Sequence, residues 1–149
     1  MEEIYRLDTR DRPRLLLAMM HALAADDGRI SFEGKLSETE LAQMAGTACE
    51  EDGVLKRATL QPKLDFLVLP LTPKNLSPLE RVIVSKVAFG NGGIIHVQIE
   101  RHGRMAFAAY DNFDRDCLVA YSDVSPAVLD ELIKTRVLRS YQRASHSNS

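Results

Sequence analysis

Apolar and polar residues alternate most clearly between Gly93 and Tyr121, and the rest of the chain can be read outward from that stretch. Ile95, Val97 and Ile99 alternate with His96, Gln98 and Glu100. Side chains two apart on a strand share a face, so this is a strand with one oily and one polar, water-facing side. Arg101-His102-Gly103-Arg104 reads as a tight turn in which Gly103 supplies a positive φ. Met105 to Tyr110 then returns as the partner strand, with Phe107 against the apolar face, and a third strand runs on toward Tyr121.

Before this hairpin, the alternation of Ile4, Tyr5 and Leu7 predicts a short edge strand. Pro13 suits the first turn of a helix, flanked by Asp11 or Arg12 and running to about Ala25. Its apolar residues spread beyond one stripe, which predicts cover on two sides, with His21 packed and hydrogen-bonded among them. Asp26-Asp27-Gly28 turns the chain, and Ile30 and Phe32 mark a strand over Arg29 to Lys35. Ser37 and Glu40 form a capping box that predicts a helix carrying Leu41 and Met44 on one face and closing at Gly46. Residues 47–53 read as an acidic solvated linker. Val54 to Leu60 then reads as a strand, ended by Pro62.

LDFLVLPL, residues 64–71, is apolar on both alternating sets apart from Asp65, the pattern of a central strand covered on both faces. Pro70 restricts pairing near its end. Ser77-Pro78 begins a helix bearing Leu79, Val82, Ile83 and Val87 and stopped by Gly90, despite its β-branched content. Ser125-Pro126 begins another, with Leu129, Leu132, Ile133 and Val137 or Leu138 inward and Lys134 and Arg136 in its last turns. The elements amount to an α+β fold: a mainly antiparallel sheet of about five strands with three to four helices on one face. Residues 1–141 form the domain and 142–149 a polar, flexible tail.

Composition narrows this picture. A chain of 149 residues is long enough to bury about 68–70% of its unfolded surface. With 45% hydrophobic and 27% charged residues it is of globular composition. A net charge of -2 argues against whole-surface attraction to nucleic acid or anionic lipid. Cys49 and Cys117 lack metal-ligand spacing and read as reduced, buried thiols. Met1-Glu2-Glu3 is no secretion signal, and the apolar run 15–25 is too short to span a bilayer. The expectation is a small, bacterial-type cytoplasmic protein.

Candidate chemistry is confined to a few places. Tyr110 to Asp116 holds Asp111, Asp114 and Asp116, oxygen ligands suited to Mg²⁺ or Ca²⁺, although the calcium-loop pattern is absent and such residues at the start of a loop more often cap backbone amides. His96, Gln98 and Glu100 project together beside the basic turn Arg101, His102 and Arg104. Lys134, Arg136, Arg139 and Arg143 with Tyr141 make a sparse basic stretch. SETELAQMAG resembles the first helix of a helix-turn-helix, but the acidic residues after it would repel phosphate. No nucleophile elbow, P-loop, dinucleotide fingerprint or HExxH is present.

The favoured expectation is therefore a non-enzymatic, cofactor-free module that binds a protein partner or itself through His96, Gln98, Glu100, Arg101, His102 and Arg104. Homodimerisation is suggested by the generous apolar runs 15–25 and 64–71. The first alternative is a divalent-metal phosphodiesterase or nuclease using Asp111, Asp114, Asp116 and Glu100 with His96 as base. The second is nucleic-acid binding.

Overall fold

The computed structural model describes residues 3–37, 39–44, 46–85, 88–89 and 93–144. Its seven strands are β1 (Ile4–Thr9), β2 (Arg29–Gly34), β3 (Asp65–Pro70), β4 (Ile94–Arg101), β5 (Arg104–Ala109), β6 (Leu118–Tyr121) and β7 (Leu138–Ala144). They form one antiparallel sheet in the order β3-β2-β4-β5-β6-β1-β7. Among the described residues three α-helices accompany it: α1 (Arg12–Leu23), α2 (Leu76–Ile83) and α3 (Pro126–Lys134). The α+β expectation therefore holds, with seven strands where five were expected. No helix of the described residues is long and apolar enough to cross a membrane.

The hairpin forms as its alternation predicts, with Ile99 paired to Phe107 and Val97 to Ala109. His102 and Gly103 both have positive φ, 57° and 74°, the signature of a type I′ turn. Two helix starts are also as expected. The Asp11 side chain accepts from the Arg14 amide at 3.2 Å, and the Ser125 hydroxyl accepts from the Val128 amide at 3.3 Å, each covering a donor that a helix start leaves open.

All three helices share one buried cluster with alternate residues of the sheet. Leu15, Leu16, Met19, Met20 and Leu23 of α1, Leu79 and Ile83 of α2, and Leu129 of α3 pack with Ile30, Phe32, Val97, Ile99, Phe107 and Leu7. On the opposite face, at the β3-β2-β4 end, a smaller cluster of Leu55, Phe66 and Val68 lies under residues 52–60.

Several elements depart from the pattern-based reading. β1 is interior, because Leu138–Ala144 forms the unforeseen edge strand β7 beside it. That strand takes in 142–144 of the supposed tail; residues 145–149 lie outside the described residues. The strand Asp65–Pro70 is buried on both sides but sits at the other edge, its Val68 exchanging hydrogen bonds with Ala48 at 2.7 and 2.9 Å. Instead of the helix expected over 37–46, the described residues of that stretch hold one 3-10 turn at Leu41–Gln43, because Thr39 takes the Leu41 amide and Thr47 takes the Leu41 and Met44 carbonyls. Gly46 does adopt a positive φ of 82°. Helix α2 begins after Asn75 rather than Ser77 and ends at Ile83; the expected stop at Gly90 lies outside the described residues, as does Val87. His21 is exposed and its Nε2 contacts the Glu80 carboxylate, linking α1 to α2 rather than packing inside. The two cysteines are free, Cys49 exposed and Cys117 half-buried.

Candidate functional site

Residues 54–60 form no strand. Their backbone amides go to side chains instead: the Asp52 carboxylate accepts from Val54 and Leu55, both at 2.6 Å. Glu33, only 2% exposed, accepts from Ala58 at 2.7 Å and Thr59 at 3.1 Å. This segment is thereby drawn across the polar face of β2 and β4, and the wet face expected for β4 is a covered one. His96 is 4% and Gln98 6% exposed.

A buried polar group is costly unless it is hydrogen-bonded, and Ser31, Glu33, His96 and Gln98 on this face are matched in detail. Ser31 pairs with Gln98 and Glu33 with His96 across β2 and β4. Gln98 Oε1 accepts from the Ser31 hydroxyl at 3.1 Å and the Lys56 amide at 2.9 Å. Its Nε2 donates to the Tyr110 hydroxyl at 2.8 Å. His96 Nδ1 accepts from the Asp111 amide at 3.1 Å, and Nε2 lies 2.7 Å from Thr59 Oγ1. A backbone amide can only donate, so Nδ1 carries no hydrogen and Nε2 does. The ring therefore donates to Thr59 and cannot take its proton, which removes His96 as a base toward that hydroxyl.

The Asp111 amide is aimed at His96 by an unusual turn. Asp111, Asn112 and Phe113 all lie in the left-handed region, with φ of 51°, 60° and 62°, at a cost of about 1–2 kcal/mol per residue. Packing holds it: Phe113 is 4% exposed and contacts Phe89 and Phe107 with ring centroids 5.9 and 6.3 Å apart. The Asn112 amide also donates to the Ile95 carbonyl at 2.9 Å.

The remaining residues of the expected contact surface have partners within the chain, and His102 and Arg104 share one of them, Asp123. Glu100 lies beside Asp52 and Arg29, with Arg29 Nη1 3.7 Å from its Oε1; Arg29 also ion-pairs with Asp52. Burial, then the hydrogen bond and charge of Asp52, push the Glu100 carboxyl above its ordinary range, against Arg29. Burial opposes the Asp52 charge, but the Leu55 and Val54 amides, Glu100 and Arg29 outweigh it and hold that carboxyl below its ordinary range. Arg101 donates to the Ala22 carbonyl at 3.4 Å, closing the exposed end of α1. The His102 amide donates to Asp27 at 3.2 Å, and Arg104 pairs with Asp123 at 2.9 Å.

The three aspartates do not converge. Asp111 accepts a weak hydrogen bond from the Cys117 thiol at 3.8 Å, Asp114 caps the Asp116 amide at 2.9 Å, and Asp116 borders a separate depression with Arg6, Asp8 and Arg115. Among the described residues no three His, Cys, Asp or Glu side chains gather as metal ligands. Burial and then the neighbouring Asp111 and Asp114 push the Cys117 thiol up, away from a reactive thiolate.

What the fold does bring together is a cavity of about 520 Å³ between residues 54–59 and β4 and β5, lined in part by Lys56, Thr59, His96, Gln98, Met105 and Tyr110. Lys56, Thr59 and Tyr110 were not foreseen as site residues. The available signal was Ser31 and Glu33, which repeat the polar alternation of β4 on a second strand. Comparison with protein-family models, with curated proteins and with solved structures finds no match to this chain.

Proposed function

We propose that this chain is a non-enzymatic binding module acting through a protein partner, which adds an extended acidic segment to the open edge of β7. The carrying observation is an open sheet edge whose Leu138 end lies beside a cluster of cations without ion-pair partners among the described residues. Among the described residues β7 is paired only on its β1 side, whereas the opposite edge at β3 is occupied midway by Ala48. An unpaired edge offers a row of amides and carbonyls to an incoming strand.

Arg139 sits at the irregularity where Asp8 pairs with Ser140 and Thr9 with Leu138. The Arg10 amide donates to the Val137 carbonyl at 3.0 Å, and Arg14 donates to the Thr135 carbonyl at 3.3 Å, bringing the start of α1 against the end of α3. Arg10, Arg14, Lys134, Arg136 and Arg139 are exposed and make no ion pair among the described residues. Acidic residues on an added strand would supply the missing charge. Self-pairing is disfavoured, since two β7 strands antiparallel about Tyr141 would set Arg139 against a second Arg143, whose charge is already paired with Glu3. Two free cysteines, one of them exposed, support a cytoplasmic reading.

The test is an NMR titration with a synthetic peptide alternating glutamate and valine. Expected are shifts and slowed exchange at β7 amides, lost at high salt and in Arg139→Glu. Shifts centred elsewhere, indifference to Arg139→Glu, a wild-type chain already dimeric through β7 in sedimentation, or retention of nucleic acid in place of the peptide would each overturn the reading.

A further inference from the structure

We propose that the cavity beneath residues 54–59 is a binding site for a small oxyanion, a carboxylate- or phosphate-bearing molecule. The argument is an account of where each hydrogen must go. The ring hydrogen of His96 is on Nε2 and is given to Thr59 Oγ1 at 2.7 Å. The hydroxyl hydrogen of Thr59 must then point away from His96, and no described residue accepts it. The Lys56 amide, 2.9 Å from Gln98 Oε1, settles which end of that side chain is the oxygen. Gln98 Nε2 therefore donates to Tyr110 Oη at 2.8 Å, and the hydroxyl hydrogen of Tyr110 is left in the same position as that of Thr59.

The buried side-chain acceptors beside the two hydroxyls are taken. Glu33 gives both oxygens to the Ala58 and Thr59 amides, Gln98 Oε1 takes two donors, and His96 Nδ1 takes one. Asp111 is the acidic side chain at the rim; it is exposed and takes a weak hydrogen bond from the Cys117 thiol at 3.8 Å through Oδ2. Arg57 is turned aside, its guanidinium over the Phe66 ring at 5.2 Å and donating to the Leu64 carbonyl. Lys56 remains exposed at the rim without an ion pair among the described residues. Two uncommitted hydroxyl hydrogens and an ammonium thus line a space of about 520 Å³, within the range of small-molecule sites, and an oxygen-rich anion is the ligand that satisfies them. Met105 and Val54 supply apolar wall. This site is separate from the β7 edge and does not depend on it.

The experiment titrates the full ¹⁵N-labelled chain with succinate and with inorganic phosphate, using sodium chloride as the ionic-strength control. Saturable shifts at the Lys56, Thr59 and Asp111 amides are expected with one or both anions and not with chloride, and the tighter of the two identifies the carboxylate or phosphate class. Tyr110→Phe removes the hydroxyl hydrogen and Lys56→Gln the charge; each should weaken binding about tenfold. Lys56 is exposed, so its variant folds whatever Tyr110→Phe does. Lys134→Gln, at the remote basic corner, should change nothing. No saturable shift with either anion at millimolar concentration, or affinity unchanged in Lys56→Gln, would overturn the assignment, as would shifts that follow Lys134→Gln instead.

Discussion

Replacing Glu33 with glutamine tests whether a buried carboxylate fastens residues 54–59 to the sheet. The carboxylate presents one oxygen to the Ala58 amide at 2.7 Å and the other to the Thr59 amide at 3.1 Å. Glutamine has a single oxygen; if it keeps the shorter bond, its NH₂ meets the Thr59 N–H donor to donor. Hydrogen bonds to charged groups contribute about 1.5–3 kcal/mol, and an amide left unmatched costs about 1–3 kcal/mol more. Against this, glutamine avoids burying a charge, an effect worth several kcal/mol before pairing. The segment can also swing out and hydrate its amides, which caps the loss at the free energy holding it down. A net weakening of about 2 kcal/mol, roughly thirtyfold in the opening equilibrium, is expected. Native-state hydrogen exchange reads it directly: the Ala58 and Thr59 amides should exchange about thirtyfold faster, while those of the β4–β5 hairpin hold their protection. Unchanged exchange at both amides would refute the reasoning. So would equal loss across the whole sheet, which would make Glu33 a support of the sheet and not of its cover.

Two further outcomes follow from the same geometry. Because folding raises the Glu100 carboxyl, the protonated form is the one the fold favours, so its contribution is present at acid pH and lost as pH climbs from the ordinary glutamate range through the raised value; Asp52, lowered, acts oppositely and only at more acid pH. Glu100→Gln keeps a donor toward Asp52 without ionising, so its Tm should exceed that of the parent at neutral pH and the gap should close on acidification; parallel Tm profiles would contradict this. At Gly34 an added Cβ would fall 1.8 Å from the Gly93 carbonyl oxygen, so Gly34→Ala should cost at least about 3 kcal/mol in denaturant unfolding. Gly103, at φ 74° with nothing within 4 Å of such a Cβ, should lose only about 1 kcal/mol on the same change; the reverse order would refute the packing around Gly34.

Where local rules decide structure, the chain is legible before folding. Asp11 and Ser125 cap their helices by contacts three residues away, and the β4–β5 turn needs only His102 and Gly103 to accept positive φ. The elements misread are those settled at a distance. Val54 to Leu60 has strand-like content, yet its amides are claimed by Asp52 and by Glu33 on another strand. Strand β7, LRSYQRA, buries only Leu138 fully, because an edge strand with one neighbour needs no alternation to be held. The three aspartates were read as one cluster from proximity in sequence, but the left-handed turn at Asp111 to Phe113 separates their roles.

The polar stripe of β4 marks where inference from one strand stops. Alternation establishes that His96, Gln98 and Glu100 share a side, and they do; it says nothing about whether water or protein lies over that side. The missing information is register. Once β2 is set beside β4, Ser31 falls opposite Gln98 and Glu33 opposite His96, so two adjacent strands present polar groups to the same space. Such a face stays wet unless something covers it that carries its own donors. An extended segment without a ladder supplies them, since each of its backbone amides must find an acceptor somewhere. Lys56, Ala58 and Thr59 find theirs in Gln98 and Glu33. The polarity that suggested exposure is thus what permits burial, and the hydroxyl hydrogens left over from that match are what turn the covered face into a candidate site.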